Sequence, residues 1–134
     1  MRIAYVNGRY VPLTRAAVSV LDRGFQFGDA IYEVWGVRRG ALLDTEGHLE
    51  RLSRSLAALR IAPPMPSSAL LTVLGETKRR NRVSNGLVYL QISRGAPAER
   101  DHAFPPHNVT TTVVVTAKNL DQRTQRQRRE TGIR

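Results

Sequence analysis

The chain of 134 residues is 41% hydrophobic and 24% charged, which suits one domain with the composition of a globular protein. It has no cysteine, so disulfides, thiolate metal sites and cysteine nucleophiles are excluded, and a cytoplasmic location is expected. The net charge of +10 is spread without a nucleic-acid-binding motif, and no apolar stretch reaches the ~20 residues of a membrane span, so neither nucleic acid nor a membrane is an expected partner.

The chain opens with a strong hairpin signal. Residues 2–6 and 9–13 flank Asn7-Gly8, a dipeptide that favours the tight turn of a two-residue hairpin. Residues 17–21 continue in an extended pattern toward a glycine-containing segment. We therefore predict a two-stranded opening followed by a third extended segment.

The run from Asp22 to Val34 contains two glycines and three acids. It predicts a tight corner in which Gly24 and Gly28 permit positive φ angles or close backbone approach, and in which the charged residues before the alternating segment cap the turn. The alternation of residues 31–37 then predicts a strand.

A second hairpin and a first helix follow. Arg39-Gly40 predicts a turn into residues 41–43, and Thr45 has the side chain of a helix N-cap. Pro63-Pro64 ends the helical pattern. Four leucines at helical spacing form its apolar stripe: Leu49, Leu52, Leu56 and Leu59.

The second half of the chain predicts one more helix and two strands. The helix runs from Ser67 or Ser68 to Asn81, and its buried side consists of Leu70, Leu71 and Leu74. Strands are predicted over 87–93 and 109–116, with a loop over 94–108 between them. The order of hairpins, helices and strands predicts an α+β two-layer sandwich.

Residues 121–134 differ from the rest in composition. They include five arginines and a single large apolar residue, Ile133, too little to bury a core face. We therefore predict an α+β domain over residues 1–120 and an interdomain linker over residues 121–134.

Three sets of side chains are candidates for binding a small molecule. Arg51 lies close to the leucine stripe, and it is either an exposed helical arginine or a partly buried anion contact. Tyr32 and Val34 share one face of a strand, where the residues alone favour a tyrosine packed in the sheet. Arg100 and His102 are two apart on the loop and form either solvated charges or a carboxylate-binding pair.

Four motifs are spaced along nearly the whole chain. They are Tyr5-Val6-Asn7-Gly8, the run Asp22–Val34, His48-Leu49-Glu50-Arg51-Leu52, and Ser93-Arg94-Gly95 followed by Arg100-Asp101-His102-Ala103-Phe104-Pro105. In order and spacing they resemble the N-terminal part of the class IV aminotransferases, which depend on pyridoxal phosphate. The Arg-x-His loop most resembles that of the D-amino-acid (D-alanine) transaminases.

This resemblance implies a fold, a cofactor and roles for the candidate residues. The fold would be the N-terminal small domain of a class IV aminotransferase, and the cofactor would be pyridoxal 5'-phosphate. Arg51 would hold the cofactor phosphate. Tyr32, Arg100 and His102 would bind the substrate carboxylate, and Val34 would shape the pocket. The protein would be a homodimer, because this loop reaches the neighbouring active site.

Other residues of the motifs are interpreted as structural. Glu33 points away from Tyr32, and His48 belongs to the helix. Neither His48 nor His107 has a partner at ligand spacing, so no metal site is expected. Five residues are interpreted as scaffolding of the corner: Asp22, Arg23, Gly24, Gly28 and Asp29.

The resemblance also implies a lysine that binds the cofactor. The two lysines of the chain, Lys78 and Lys118, do not lie in the family's lysine motif. No catalytic residue is therefore expected within this chain, and the lysine is expected beyond Arg134, in a further domain or a complementary chain. The chain alone is expected to be inactive.

We predict the N-terminal part of a transaminase that moves amino groups between D-amino acids and 2-oxo acids. The alternatives are a branched-chain amino acid transaminase or an aminodeoxychorismate-lyase-like member of the class. A non-catalytic basic binding domain is a further alternative.

Overall fold

The computed structural model describes residues 1–105 and 109–132, and these residues build a six-stranded antiparallel sheet in the order β2-β1-β6-β5-β3-β4. The strands are β1 (Ile3–Val6), β2 (Arg9–Pro12), β3 (Ala30–Arg38), β4 (Ala41–Leu42), β5 (Gly86–Ser93) and β6 (Thr112–Asn119). The helices are α1 (Arg23–Phe27), α2 (Thr45–Ala58), α3 (Ser67–Arg80) and α4 (Gln122–Thr131).

One face of the sheet is covered by α2 and α3. Alternation along β3 directs Trp35 and Val37 to this face, and the paired residues of β5 and β6 supply Val88 and Ala117. The helices add their leucines: Leu52, Leu56, Leu70 and Leu74. The prediction of an α+β two-layer sandwich is confirmed.

Both predicted hairpins are present. Asn7 and Gly8 have φ angles of 46° and 91°, and Arg39 and Gly40 have φ angles of 50° and 80°. Positive φ at both central residues gives the turn a twist that matches that of the strands, which is why these dipeptides join them directly. The first hairpin joins the rest of the sheet where β1 pairs with β6.

Two predicted extended segments are wrong in whole or in part. Residues 17–21 form no strand, because Ser19 accepts hydrogen bonds from the backbone nitrogens of the two residues that follow Val20 and turns the chain. Residues 109–111 are also outside a strand. The pairing of β5 with β6 ends at Ser93 and Thr112, so the residues before Thr112 have no partner there.

The first long helix differs from its prediction at both ends. Asp44, with a left-handed φ of 47°, precedes the helix, and its carbonyl accepts the first helical hydrogen bond, from His48. Thr45 is therefore the first helical residue and not the N-cap. Leu59 follows the last helical residue and is 40% exposed, so it does not extend the buried stripe. The helix ends before Pro63-Pro64. The second helix, Ser67–Arg80, starts as predicted and ends one residue earlier, with Asn81 as its C-cap.

The glycine corner contains a short helix, α1. The carboxylate of Asp22 accepts hydrogen bonds from the Gly24 nitrogen at 2.8 Å and from the Ser93 hydroxyl at 2.9 Å. A Cβ on Gly24 would lie 2.8 Å from that of Ser93, so only glycine fits. Gly28 ends the helix with a φ of 67°. The predicted glycine roles and the capping by Asp22 are confirmed, whereas the charges of Arg23 and Asp29 pair with each other instead of capping the turn.

Replacing Asp22 by alanine is expected to lower the free energy of unfolding by about 1–2 kcal/mol, because the helix start and Ser93 both lose an acceptor. Asp22→Asn keeps an oxygen at the cap and should lose less. Urea unfolding of both variants measures the difference. Equal losses would mean that the cap does not stabilise the corner.

The segment after β6 is helical rather than extended. Asp121 caps α4 by accepting hydrogen bonds from the nitrogens of Arg123 and Thr124 at 3.2 and 3.1 Å. The arginines of α4 are exposed. Its role as a linker stays a prediction, and Ile133 and Arg134 lie outside the described residues. Within residues 1–105 and 109–132, no helix has the length and apolar character needed to cross a bilayer.

Candidate functional site

Tyr32 and Val34 share one face of the sheet, as their spacing predicts, and it is the face opposite α2 and α3. The Tyr32 side chain is 65% exposed, and its ring stacks on that of Tyr89 with centroids 6.0 Å apart. The Tyr89 hydroxyl donates to the Gln91 side chain at 2.6 Å, so this second tyrosine is fixed at its far end. Burial, with a smaller contribution from Tyr32, raises the pKa of Tyr89. The face thus presents a tyrosine pair beside a small apolar side chain.

Glu33 points to the other face, as predicted, where it is 1% exposed. Its carboxylate accepts two hydrogen bonds from Arg51, from Nε at 2.8 Å and from Nη2 at 2.7 Å. It also lies 2.7 Å from Nδ1 of His48, whose ring packs on Trp35. Burial by itself raises the pKa of Glu33, but the hydrogen bonds from Arg51 and His48 outweigh it and hold the pKa below its ordinary value. Glu33 is therefore a buried carboxylate.

This pairing orients the Arg51 guanidinium. A guanidinium carries five N–H groups, and Glu33 engages the edge formed by Nε and Nη2. The edge formed by Nη1 and Nη2 keeps hydrogen atoms for another acceptor, and the Arg51 side chain is 56% exposed. Such an edge matches two oxygens of a phosphate or carboxylate. Arg51 is thus largely exposed, as the first alternative expects, while its ion pair with Glu33 was part of neither alternative. Anion binding by its outer edge stays a prediction.

Arg100 and His102 meet on one aromatic ring. The Arg100 guanidinium carbon is 4.8 Å from the centroid of Phe27, and the His102 ring is 5.4 Å from it. Both side chains are exposed. Phe27 is the last residue of α1, shortly before β3, so the pair lies at the end of the sheet where β3 begins. The loop gathers two groups that bind carboxylates well.

Asp29 joins two arginines beneath this loop. Its carboxylate accepts from Nε of Arg23 at 2.8 Å and from Nε and Nη2 of Arg94 at 2.7 and 3.0 Å. The three side chains are 5–13% exposed. Burial by itself raises the pKa of Asp29, but the hydrogen bonds from Arg94 and Arg23 lower it overall. The scaffolding role expected of Arg23 and Asp29 thus has a definite form, a buried ion cluster at the base of the loop.

Three residues of the candidate site were not predicted from the sequence. Tyr89 could have been found from the sequence, because alternation in a predicted strand puts it on the same face as Gln91. Phe27 and Arg94 occur in the motifs but had no assigned role. Their contacts join segments about 70 residues apart, and no local pattern encodes such contacts.

The two lysines do not join these clusters. The Lys78 Nζ donates to the Gly40 carbonyl, and Lys118 is exposed near the end of β6. In the described part of the chain, no group of three or more histidines and acids is arranged to hold a metal ion. The sequence interpretation of His107 falls on a residue outside the described ranges.

Comparison with known proteins gives consistent results. The family model described as amino-transferase class IV matches residues 30–134. D-alanine aminotransferases from Staphylococcus haemolyticus and Listeria innocua are 34% and 35% identical to the chain, over 91% and 95% of its length. The chain spans 43% and 44% of the length of these two relatives.

Solved structures share the fold. A branched-chain amino acid aminotransferase from Escherichia coli superposes with a TM-score of 0.80 at 18% identity, over 89% of this chain and 41% of its own. A 4-amino-4-deoxychorismate lyase from Pseudomonas aeruginosa does so with a TM-score of 0.68 at 28% identity, over 92% of this chain and 43% of its own.

Proposed function

The chain belongs to the class IV aminotransferases, and we propose that it forms the N-terminal part of a pyridoxal-phosphate-dependent transaminase acting on D-amino acids and 2-oxo acids. The identity of 34–35% with D-alanine aminotransferases supports the choice of substrate class over the alternatives. Cytoplasmic residence, favoured by the absence of cysteine, belongs to the same proposal.

The observation that carries the proposal is the pairing of Arg100 with His102 on Phe27. Arginine offers a planar fork for the two oxygens of a carboxylate, and histidine adds a single donor. Tyr32 would contribute its hydroxyl, and Val34 would limit the room for the substrate side chain. The loop would serve the neighbouring subunit of a homodimer, which makes the dimer a requirement for a complete site.

Arg51 fits the cofactor phosphate. Its outer edge has hydrogen atoms to donate, it is exposed, and Glu33 fixes its orientation from the buried side. Pyridoxal phosphate supplies, when bound, the electron sink that lets an amino group leave one carbon skeleton and join another. Arg51 would hold the cofactor phosphate in place, and the phosphate itself takes no part in the bond changes.

The proton transfers need a further group. A lysine in the family's motif would move the proton at the substrate α-carbon, and we propose that it lies outside this chain. Lys78 is engaged with the Gly40 carbonyl, so it is a poor candidate for that role.

Arg100→Ala tests the proposal in the transaminase that contains this chain. We expect KM for D-alanine to rise about 10–100-fold, the value of one or two charge-assisted hydrogen bonds, and KM for a primary amine without a carboxylate to change little. Arg15→Ala, at an exposed position of the same residue type, is the control. Equal effects on both donors would remove Arg100 from carboxylate binding.

A further inference from the structure

Arg23 is buried although it carries a full charge. The residue is 4% exposed, and it belongs to α1. Its Nε donates to Asp29, while Nη1 donates to two backbone carbonyls of the loop, those of Asp101 at 2.6 Å and Ala103 at 3.1 Å. These two partners are 78 and 80 residues after Arg23 in the sequence. A charge in such a position is costly unless it is fully paired, so its contacts are the reason it is tolerated.

The two carbonyls are on either side of His102. Fixing both of them sets the backbone of that residue, and Nη2 lies 3.5 Å from the His102 carbonyl as well. The same guanidinium lies 4.7 Å from the centroid of Phe27, the ring on which Arg100 and His102 rest. Arg23 therefore contacts both the loop backbone and the platform under its side chains.

We infer that Arg23 is a positioning residue that holds the loop in the conformation that presents Arg100 and His102 to a carboxylate. It does not touch the substrate itself. The substrate part of this inference rests on the proposed function, whereas the part concerning loop conformation stands on the contacts alone.

Lysine cannot replace arginine in this role. The guanidinium donates to Asp29 from Nε and to the loop carbonyls from Nη1. These N–H groups point in different directions within one rigid plane. A lysine ammonium is a single point of charge that cannot span both sets of acceptors. Arg23→Lys thus keeps the charge beside Asp29 and releases the loop.

Limited trypsin digestion of the 134-residue chain tests the conformational part. The bond after Arg100 lies in the loop, and we expect it to be cut at least tenfold faster in Arg23→Lys and Arg23→Gln. Cleavage after Arg15, which is exposed, is the internal reference, and cleavage after Arg51, inside α2 and next to the buried Leu52, reports global unfolding. Peptide masses give each rate separately.

The outcomes separate cleanly. Faster cleavage after Arg100 with unchanged cleavage after Arg51 supports the inference. Unchanged cleavage after Arg100 in a folded Arg23→Lys variant overturns it. If Arg23→Gln unfolds, Arg23→Lys decides alone, and if that also unfolds, hydrogen exchange of the loop in Arg23→His provides the same comparison with a smaller planar side chain.

Kinetics test the substrate part in the transaminase that contains this chain. Arg23→Lys should raise the ratio of KM for D-alanine to KM for a primary amine by about tenfold, in the direction of Arg100→Ala. If Arg100→Ala changes this ratio and Arg23→Lys does not, the inference is wrong. If neither variant changes it, the proposed function of the loop fails, while the trypsin result still decides whether Arg23 holds it.

Discussion

Asp29→Asn is expected to lower the free energy of unfolding by about 3 kcal/mol or more, because removal of one partner leaves a buried charge uncompensated. Two arginines depend on this carboxylate. Arg94 would keep its bonds to the carbonyls of Leu59 and Arg60, and Arg23 its bonds to the loop. The asparagine amide offers one acceptor oxygen and no charge, so the cluster would hold two cations with nothing to balance them.

Urea unfolding at neutral pH measures the loss. Glu99→Gln removes one negative charge from an exposed position and is the control, with an expected change below about 0.5 kcal/mol. A loss of similar size in both variants would mean that overall charge, and not the buried cluster, determines the result.

The pH dependence of the free energy of unfolding is a second test of the ion cluster around Asp29. The pKa of Asp29 is lower in the folded protein, so its stabilising contribution is present above the unfolded pKa of about 4 and is lost as pH falls through the folded value. Wild-type protein should therefore lose stability as pH falls below about 4. Asp29→Asn should show a shallower dependence, with Glu33 still contributing in the same direction.

Arg51→Ala is expected to weaken binding of pyridoxal 5'-phosphate about a hundredfold in the transaminase that contains this chain. Two charge-assisted hydrogen bonds to the phosphate would be lost, at about 1.5 kcal/mol each. Affinity for pyridoxal, which has no phosphate, should change less than threefold. Titration followed by absorbance, with each compound in turn, measures the difference.

Two further variants make this test specific. Arg54→Ala removes an exposed arginine from the same helix and should leave both affinities unchanged. Arg51→Lys keeps a charge next to Glu33 but lacks the fork, so its affinity for the phosphate form should lie between wild type and Arg51→Ala. Equal weakening of pyridoxal and pyridoxal 5'-phosphate would exclude Arg51 as the phosphate ligand.

Much of the fold was predictable because its signals are local. Asn7-Gly8 and Arg39-Gly40 specify their turns without help from the rest of the chain. The stripe of α3 likewise identifies a helix with one buried side. By contrast, the start of β6 depends on where β5 ends, since a strand needs a partner. The β-branched run before Thr112 carried no information about that partner.

The candidate site likewise has features that local sequence signals predict and features that depend on distant parts of the chain. Period-two alternation was enough to put Tyr32 and Val34 on one face and Glu33 on the other. The contact of Glu33 with Arg51 depends on how α2 docks against β3, and that docking is a property of the whole core. The bonds from Arg23 to the loop join residues 78–80 positions apart, beyond any local pattern.

The pairing of β1 with β6 has a consequence for biosynthesis. Of the strands in the described residues, β1 is the earliest in the sequence, and one of its two neighbours in the sheet is β6, which ends at Asn119. Its other neighbour, β2, is made at once, but an isolated two-stranded hairpin is barely stable in water. The amino-terminal hairpin must therefore wait, exposed, while more than a hundred residues are translated, at a rate of about 5–20 residues per second. The described sheet is therefore completed only when two strands that are about a hundred residues apart in the sequence come together.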